Sequence, residues 1–281
     1  MIAVRYYDTR SLQTLIVTLG AWQLIMAIAL VLLSYTARAW RFQSLLKPWY
    51  PHIEFREMLR TTLLHNFFNN IIPMRLGELT FPALLKKRLG IPVLQGLGTL
   101  ALVRTLDLAL MASLFAVVIT LLGLDWLQFT LSPTHLAIGS GLFILGMGLA
   151  LGVLFKQPKL RQISRQLTQQ IPQLIALTVL IWLSKVLGYW WIMQAALQSE
   201  ALQALLAVLA TEATSILPVN GLANFGTLEA SVWLVLQPFG LEAQRVLSAA
   251  INLHLFILAL SSIAALVGYT VMNHPVHKDS A

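Results

Sequence analysis

What most constrains this chain is the length of its uninterrupted apolar runs. An α-helix rises 1.5 Å per residue, so about 20 residues are needed to cross a hydrocarbon core about 30 Å thick. Segments at about 12–35, 94–123, 135–155, 173–197 and 244–272 reach that length with few charges. They are too long and continuous for the roughly ten-residue alternating strands of an outer-membrane barrel. Each therefore predicts a membrane-crossing helix. Composition agrees: 58% of residues are hydrophobic and 11% charged, against about 25% charged in soluble domains. The mean hydropathy is +0.76.

Two further apolar regions are broken near their middles by Pro and Gly. One runs from about Met58 to Leu85 and breaks at Pro73-Met-Arg-Leu-Gly77. The other runs from about Leu202 to Gln237 and breaks between Pro218 and Gly226, with Gly221 inside the break. Neither half of either region spans a bilayer alone, which predicts re-entrant hairpins, with a pair of full crossings for each region as the rival reading. The expected fold is an all-α polytopic membrane protein with about five full crossings and two broken hairpins arranged as an inverted repeat. All of 1–281 forms one membrane domain, with a first repeat over about 12–123, a linking helix over about 135–155 and a second repeat over about 173–272. Inverted repeats with broken helices near the midplane are a transporter architecture.

The net charge of +8 would suggest nucleic acid in a soluble protein. Here the Lys and Arg residues flank apolar spans, so anionic lipid headgroups are the expected counter-charge and no nucleic-acid partner is expected. Arg38, Arg41, Lys47, Arg56, Arg60, Lys86-Lys87-Arg88, Lys156, Lys159, Arg161, Arg165 and Lys278 fall on one side of this topology, against Arg5, Arg10 and Arg245 on the other. The richer side is read as cytoplasmic, in a bacterial inner membrane. The chain has no cysteine, so thiol chemistry and Cys-based metal sites are excluded. No loop carries a metal-binding carboxylate cluster or a Walker motif, and neither metal nor cofactor is expected.

Ionisable side chains at membrane depth cost about 2.5–3.5 kcal/mol each on insertion scales, so each needs a partner or an aqueous cavity. Arg75 and Glu78 sit at the first break, where freed backbone N–H groups and a guanidinium fork suit a phosphate; they could equally neutralise each other. Arg104 and Asp107 are three apart on one face of the next crossing and can pair with each other or with the hairpin. Glu212 and Glu229 flank the second break. Lys185, in the preceding crossing, could pair with either and leave the other to titrate, or fix helix packing. His254 lies mid-helix in the last crossing, where a hydrogen-bonded packing role is the commoner outcome. Asn66, Asn69, Asn70, Asn220 and Asn224 are neutral companions. Arg38, Trp40 and Arg41 read as an interfacial belt, and Trp182, Trp190 and Trp191 as interfacial anchors.

With these residues in view, the chain resembles the flippase-like family named for the transmembrane region of lysylphosphatidylglycerol synthase, as a stand-alone member. The resemblance covers most of the chain. It rests on Arg38-Ala-Trp-Arg41 with Leu45-Leu46, on Asn69-Asn-Ile-Ile-Pro73-Met-Arg75-Leu-Gly77-Glu78, on Arg104-Thr-Leu-Asp107, and on Pro218 through Gly226-Thr-Leu-Glu229. It implies a membrane domain handling lipids or lipid-linked groups, with the Arg and Glu residues at the breaks around the headgroup. Three departures stand out: Val103 replaces the acidic residue before Arg104, the glycine pair of the second break is reduced to Gly221, and a late Arg of the last helix is His254.

The leading expectation is a translocase for an anionic phospholipid or a polyprenyl-phosphate-linked lipid. Arg75, Glu78, Arg104, Asp107 and Glu229 would bind it, and Glu212, Lys185 and His254 would couple to it. Transport is favoured over chemistry. The rivals are an integral-membrane transferase on a lipid-linked donor, with Glu78 or Asp107 as general base, and a non-catalytic subunit of a cell-envelope lipid pathway.

Overall fold

The structure is a computed structural model that describes residues 10–74, 76–122, 158–214 and 221–270. The expected linking helix at about 135–155, Arg75, Pro218 and Asn220 lie outside the described residues. Long helices dominate, in the order α1 (Arg10–Thr18), α2 (Ala21–Leu46), α3 (Phe55–Ile71), α4 (Thr80–Leu89), α5 (Val93–Leu122), α6 (Pro158–Leu197), α7 (Ala201–Thr214), α8 (Thr227–Leu236) and α9 (Ala243–Thr270). Among the described residues four helical segments are long and apolar enough to cross a membrane: Ala21–Leu46, Val93–Leu114, Gln170–Leu197 and Ala243–Thr270. The protein is thus an integral membrane protein of helical type.

The sidedness of α6 shows why these helices sit in lipid. Ile175, Val179, Leu183 and Leu187 recur every fourth residue and are exposed, whereas Leu174, Ile181, Trp182 and Tyr189 are buried. A helix with apolar residues on both faces satisfies lipid on one side and neighbouring helices on the other. Gly188 permits the closest approach, because a Cβ there would lie 3.0 Å from the carbonyl oxygen of Ala27 on α2.

The expected first crossing at 12–35 is displaced. The chain breaks at Gly20, whose N–H donates to Gln23 Oε1 at 2.7 Å, and α2 then runs on to Leu46. The crossing helix therefore carries Arg38 and Arg41 within its length rather than beyond its end.

On either side of the first break α4 packs against α3, and on either side of the second α8 packs against α7. After α3 a short 3₁₀ turn, Leu76–Leu79, leads into α4. Gly77 sits so tightly on the end of α3 that a Cβ would be 2.6 Å from Asn69 Cα and from Phe68 O. The side arms α7 and α8 have 14 and 10 residues, about 21 and 15 Å long at 1.5 Å per residue, and neither spans a bilayer. They pack together, with the Ser231 hydroxyl 3.3 Å from the Ala210 carbonyl.

Two buried apolar clusters meet along α2. Val31, Tyr35 and Ala37 belong to the larger, and Ala39, Phe42, Leu45 and Leu46 to the smaller. The basic residues Arg38 and Arg41 fall at the changeover. One end of the molecule gathers Lys47, Arg56, Arg60 and the basic last turn of α4. There Phe42 stacks on Phe81, with ring centroids 4.1 Å apart, and Tyr50 bonds Gln95. At the opposite end Arg245 donates to the Gln198 carbonyl, and Asn252 to Ser11.

Candidate functional site

The buried charges form a connected network rather than isolated pairs. Arg41 is completely buried. Its two terminal nitrogens grip Asp107 bidentately, Nη1 to Oδ1 at 2.7 Å and Nη2 to Oδ2 at 3.1 Å, and Nη1 also reaches Thr178 Oγ1 at 2.8 Å. The Trp182 indole N–H donates to the same Asp107 Oδ1 at 3.0 Å. α2, α5 and α6 are thereby joined at one carboxylate.

Arg104, one turn before Asp107 on α5, continues the chain of charge. Its Nη1 lies 3.7 Å from Asp107 Oδ2, and its Nη2 lies 3.1 Å from Glu78 Oε1 at the first break. The pairing anticipated for Arg104 and Asp107 is present, and Glu78 engages Arg104.

At the second break the pairing is resolved. Lys185 Nζ lies 2.7 Å from Glu212 Oε2 and sits over the rings of Trp182 and Tyr189, 5.3 and 5.5 Å from their centroids. A cation on aromatic faces gains from their quadrupoles, more so away from water. Glu229 instead meets His254, with Oε1 2.8 Å from Nδ1, while Oε2 accepts the Gly226 N–H at 2.7 Å. This return contact from the third helical residue caps α8. Gly226 needs its φ of +87°, which glycine adopts without steric cost.

These groups surround a cavity of about 70 Å³. Arg38, Asn66, Arg104, Lys185, Glu212 and His254 are among its lining. Arg38 donates to Asn66 Oδ1 at 3.0 Å. Three buried atoms of residues that line it, Arg38 Nε, Asn66 Nδ2 and Arg104 Nε, have no hydrogen-bond partner among the described residues. All three are donors. Beside this cavity an apolar groove of about 550 Å³ is lined by Leu97, Leu100, Leu108 and Met111. Arg104 and Trp182 line both spaces.

Among the residues singled out from sequence, the structure brings Arg104, Lys185, Glu212 and His254 to the cavity itself, with Asp107 and Glu78 beside Arg104 at the groove. Glu229 backs His254 from behind. The site also contains residues read as interfacial. Arg41 is fully buried, Arg38 faces the cavity, and Trp182 is a buried donor to Asp107, whereas Trp40 does face outward. The helical spacing was the available signal: Arg38 and Arg41 are three apart and share a face, with Trp40 turned away.

Comparison with known families matches residues 1–265 to the family model described as the lysylphosphatidylglycerol synthase TM region. None of the curated proteins and none of the solved structures matches the chain.

Proposed function

We propose, because the chain belongs to the family of the lysylphosphatidylglycerol synthase transmembrane region, that it is a translocase for an anionic phospholipid or a polyprenyl-phosphate-linked lipid. The family ties this membrane protein to lipid metabolism or flipping; the rest of the reading is supported by the site. The observation that carries it is the trio of unpartnered donors, Arg38 Nε, Asn66 Nδ2 and Arg104 Nε, on residues that line one cavity. Buried donors left unmatched cost free energy, and an acceptor-rich phosphate matches all three. The adjoining apolar groove suits a lipid tail, with Arg104 and Trp182 at the junction of head and tail.

Loading a headgroup moves a hairpin, and Glu78 at the first break and Glu229 at the second respond to it. In this reading both breaks are re-entrant and the two halves, about 12–123 and 173–272, are an inverted repeat around the site. Arg75, one residue before the first 3₁₀ turn, adds a further phosphate donor. The basic end faces the cytoplasm of a bacterial inner membrane.

Headgroup movement in proteoliposomes tests the proposal, with labelled phosphatidylglycerol and a labelled polyprenyl phosphate offered separately. Wild type is expected to move one of them, and Arg38→Gln, which removes the guanidinium and its charge, at least tenfold more slowly while still giving a cooperative thermal melt. Movement of neither lipid would sink the translocase reading. Appearance of a new lipid species would turn the site into that of a transferase.

A further inference from the structure

We propose that His254 and Glu229 form a proton-binding site coupled to the central cavity, so that an anionic group and one proton are taken up together. This rests on the reading of the cavity as an anion site and goes beyond it by naming a second ligand, the proton.

The hydrogen-bond geometry fixes the proton count. His254 Nε2 lies 2.7 Å from the Ala223 carbonyl oxygen. A carbonyl only accepts, so Nε2 carries a hydrogen. His254 Nδ1 lies 2.8 Å from Glu229 Oε1, and the other carboxylate oxygen already accepts from Gly226 N–H. Two bare acceptors do not approach to that distance, so one further proton lies between Nδ1 and Oε1. Whether it resides on the imidazole or on the carboxyl, the pair is neutral. Losing it leaves a carboxylate facing a lone pair, with a net charge of −1. His254 and Glu229 are 2% and 1% exposed, so that charge would sit largely out of bulk water.

The same imidazole holds the second break. Ala223 and Asn224, both non-glycine, adopt φ of +50° and +63°, a costly left-handed pair that persists only when surroundings enforce it. The Nε2–H bond to Ala223 is one such restraint, and Phe225 lies against the ring with centroids 4.4 Å apart. Asn224 and His254 both line the cavity. The protonation state of the pair is thus felt at the cavity wall through a strained turn.

The other ionisable groups that line the cavity come from four helices. Arg38 and Tyr35 approach from α2, Arg104 from α5, Lys185 and Tyr189 from α6 and Glu212 from α7. On α3, which packs against α9, the titratable neighbour is His65, buried and bonded to Thr80. Taking up the proton removes one negative charge from the pair beside the cavity, so an anion in the cavity favours it. By reciprocity the proton favours the anion equally. Affinity for the anion is then highest at low pH. It falls by up to tenfold per pH unit between the midpoint of the empty pair and that of the filled pair.

The test needs a readout that does not depend on transport. Protein labelled with ¹⁵N-histidine is placed in phosphatidylcholine nanodiscs, and the His254 signals are assigned by their loss in His254→Gln. They are then followed from pH 5 to 9 with and without dioctanoyl phosphatidylglycerol. Calorimetry in two buffers of different ionisation heat counts protons taken up per lipid bound. A single loss of the Nδ1 proton is expected, shifted to higher pH by the lipid, with up to one proton taken up on binding. Glu229→Gln is the matched control, because its amide donates to Nδ1 and accepts from Gly226 without a titratable proton; it should bind with a pH-independent affinity. Equal proton uptake in wild type and Glu229→Gln, or His254 signals unmoved by pH and lipid, overturns the proposal. A titrating His254 with no lipid binding also overturns the coupling, and it isolates the failure in the anion reading, since the shared proton would remain.

Discussion

Arg41 shows how a single buried charge can commit three helices. It has no exposed surface, and its carboxylate partner among the described residues is Asp107, which Trp182 also holds. Removing one partner leaves an uncompensated charge in an apolar setting, a loss of about 3–5 kcal/mol. Arg41→Met and Asp107→Leu are each expected to destabilise by that amount in equilibrium unfolding in mild detergent. The double variant should recover most of it, because a buried pair replaced by apolar groups is close to neutral. At this scale the sequence was partly legible. That Arg104, Asp107, Lys185 and Glu212 needed partners followed from their depth, but which partner did not. Lys185 lies 27 residues from Glu212, and no periodicity within one helix decides between that carboxylate and Glu229. Arg38 and Arg41 were misplaced because the end of the apolar run was taken for the end of the helix. α2 in fact continues to Leu46.

The broken elements depend on contacts that composition cannot display. Proline and glycine announced the interruption near Gly77, but the reason for that glycine is the 2.6 Å approach to the backbone of Asn69 and Phe68. Gly77→Ala is expected to cost about 1–3 kcal/mol by overpacking, and to open the turn that carries Glu78. Gly98, on α5, has no atom within 4 Å of its would-be Cβ. Gly98→Ala should therefore be neutral or stabilising by up to about 1 kcal/mol, as helix propensity alone predicts. Thermal melting of the two variants side by side separates crowding from propensity. The crossing helices were easier to read, because a run of 20 apolar residues admits little else. The expected end at 197 coincides with the end of α6 and the expected start at 244 lies one residue from the start of α9, whereas α6 begins at Pro158, well before the expected 173.

For the whole molecule, the asymmetry of charge between its two ends makes orientation testable. The absence of native cysteine gives a clean background for labelling. Single cysteines replacing Gln198 and Gln244 are expected to react with an impermeant maleimide added outside intact spheroplasts. One replacing Lys87 should react only after lysis. The opposite pattern would reverse the assigned sidedness. The contacts that tie this molecule together also have a consequence for its manufacture. Arg41 and Thr178 are 137 residues apart in the chain, and at about 5–20 residues per second the ribosome needs on the order of ten seconds to travel between them. Over that interval α2 stands in the membrane without α6, its backbone at Ala27 lacking the close neighbour that Gly188 later provides. The first half of the protein is inserted before it can be finished, and insertase or chaperone contacts during synthesis would fall on the face that α6 finally covers.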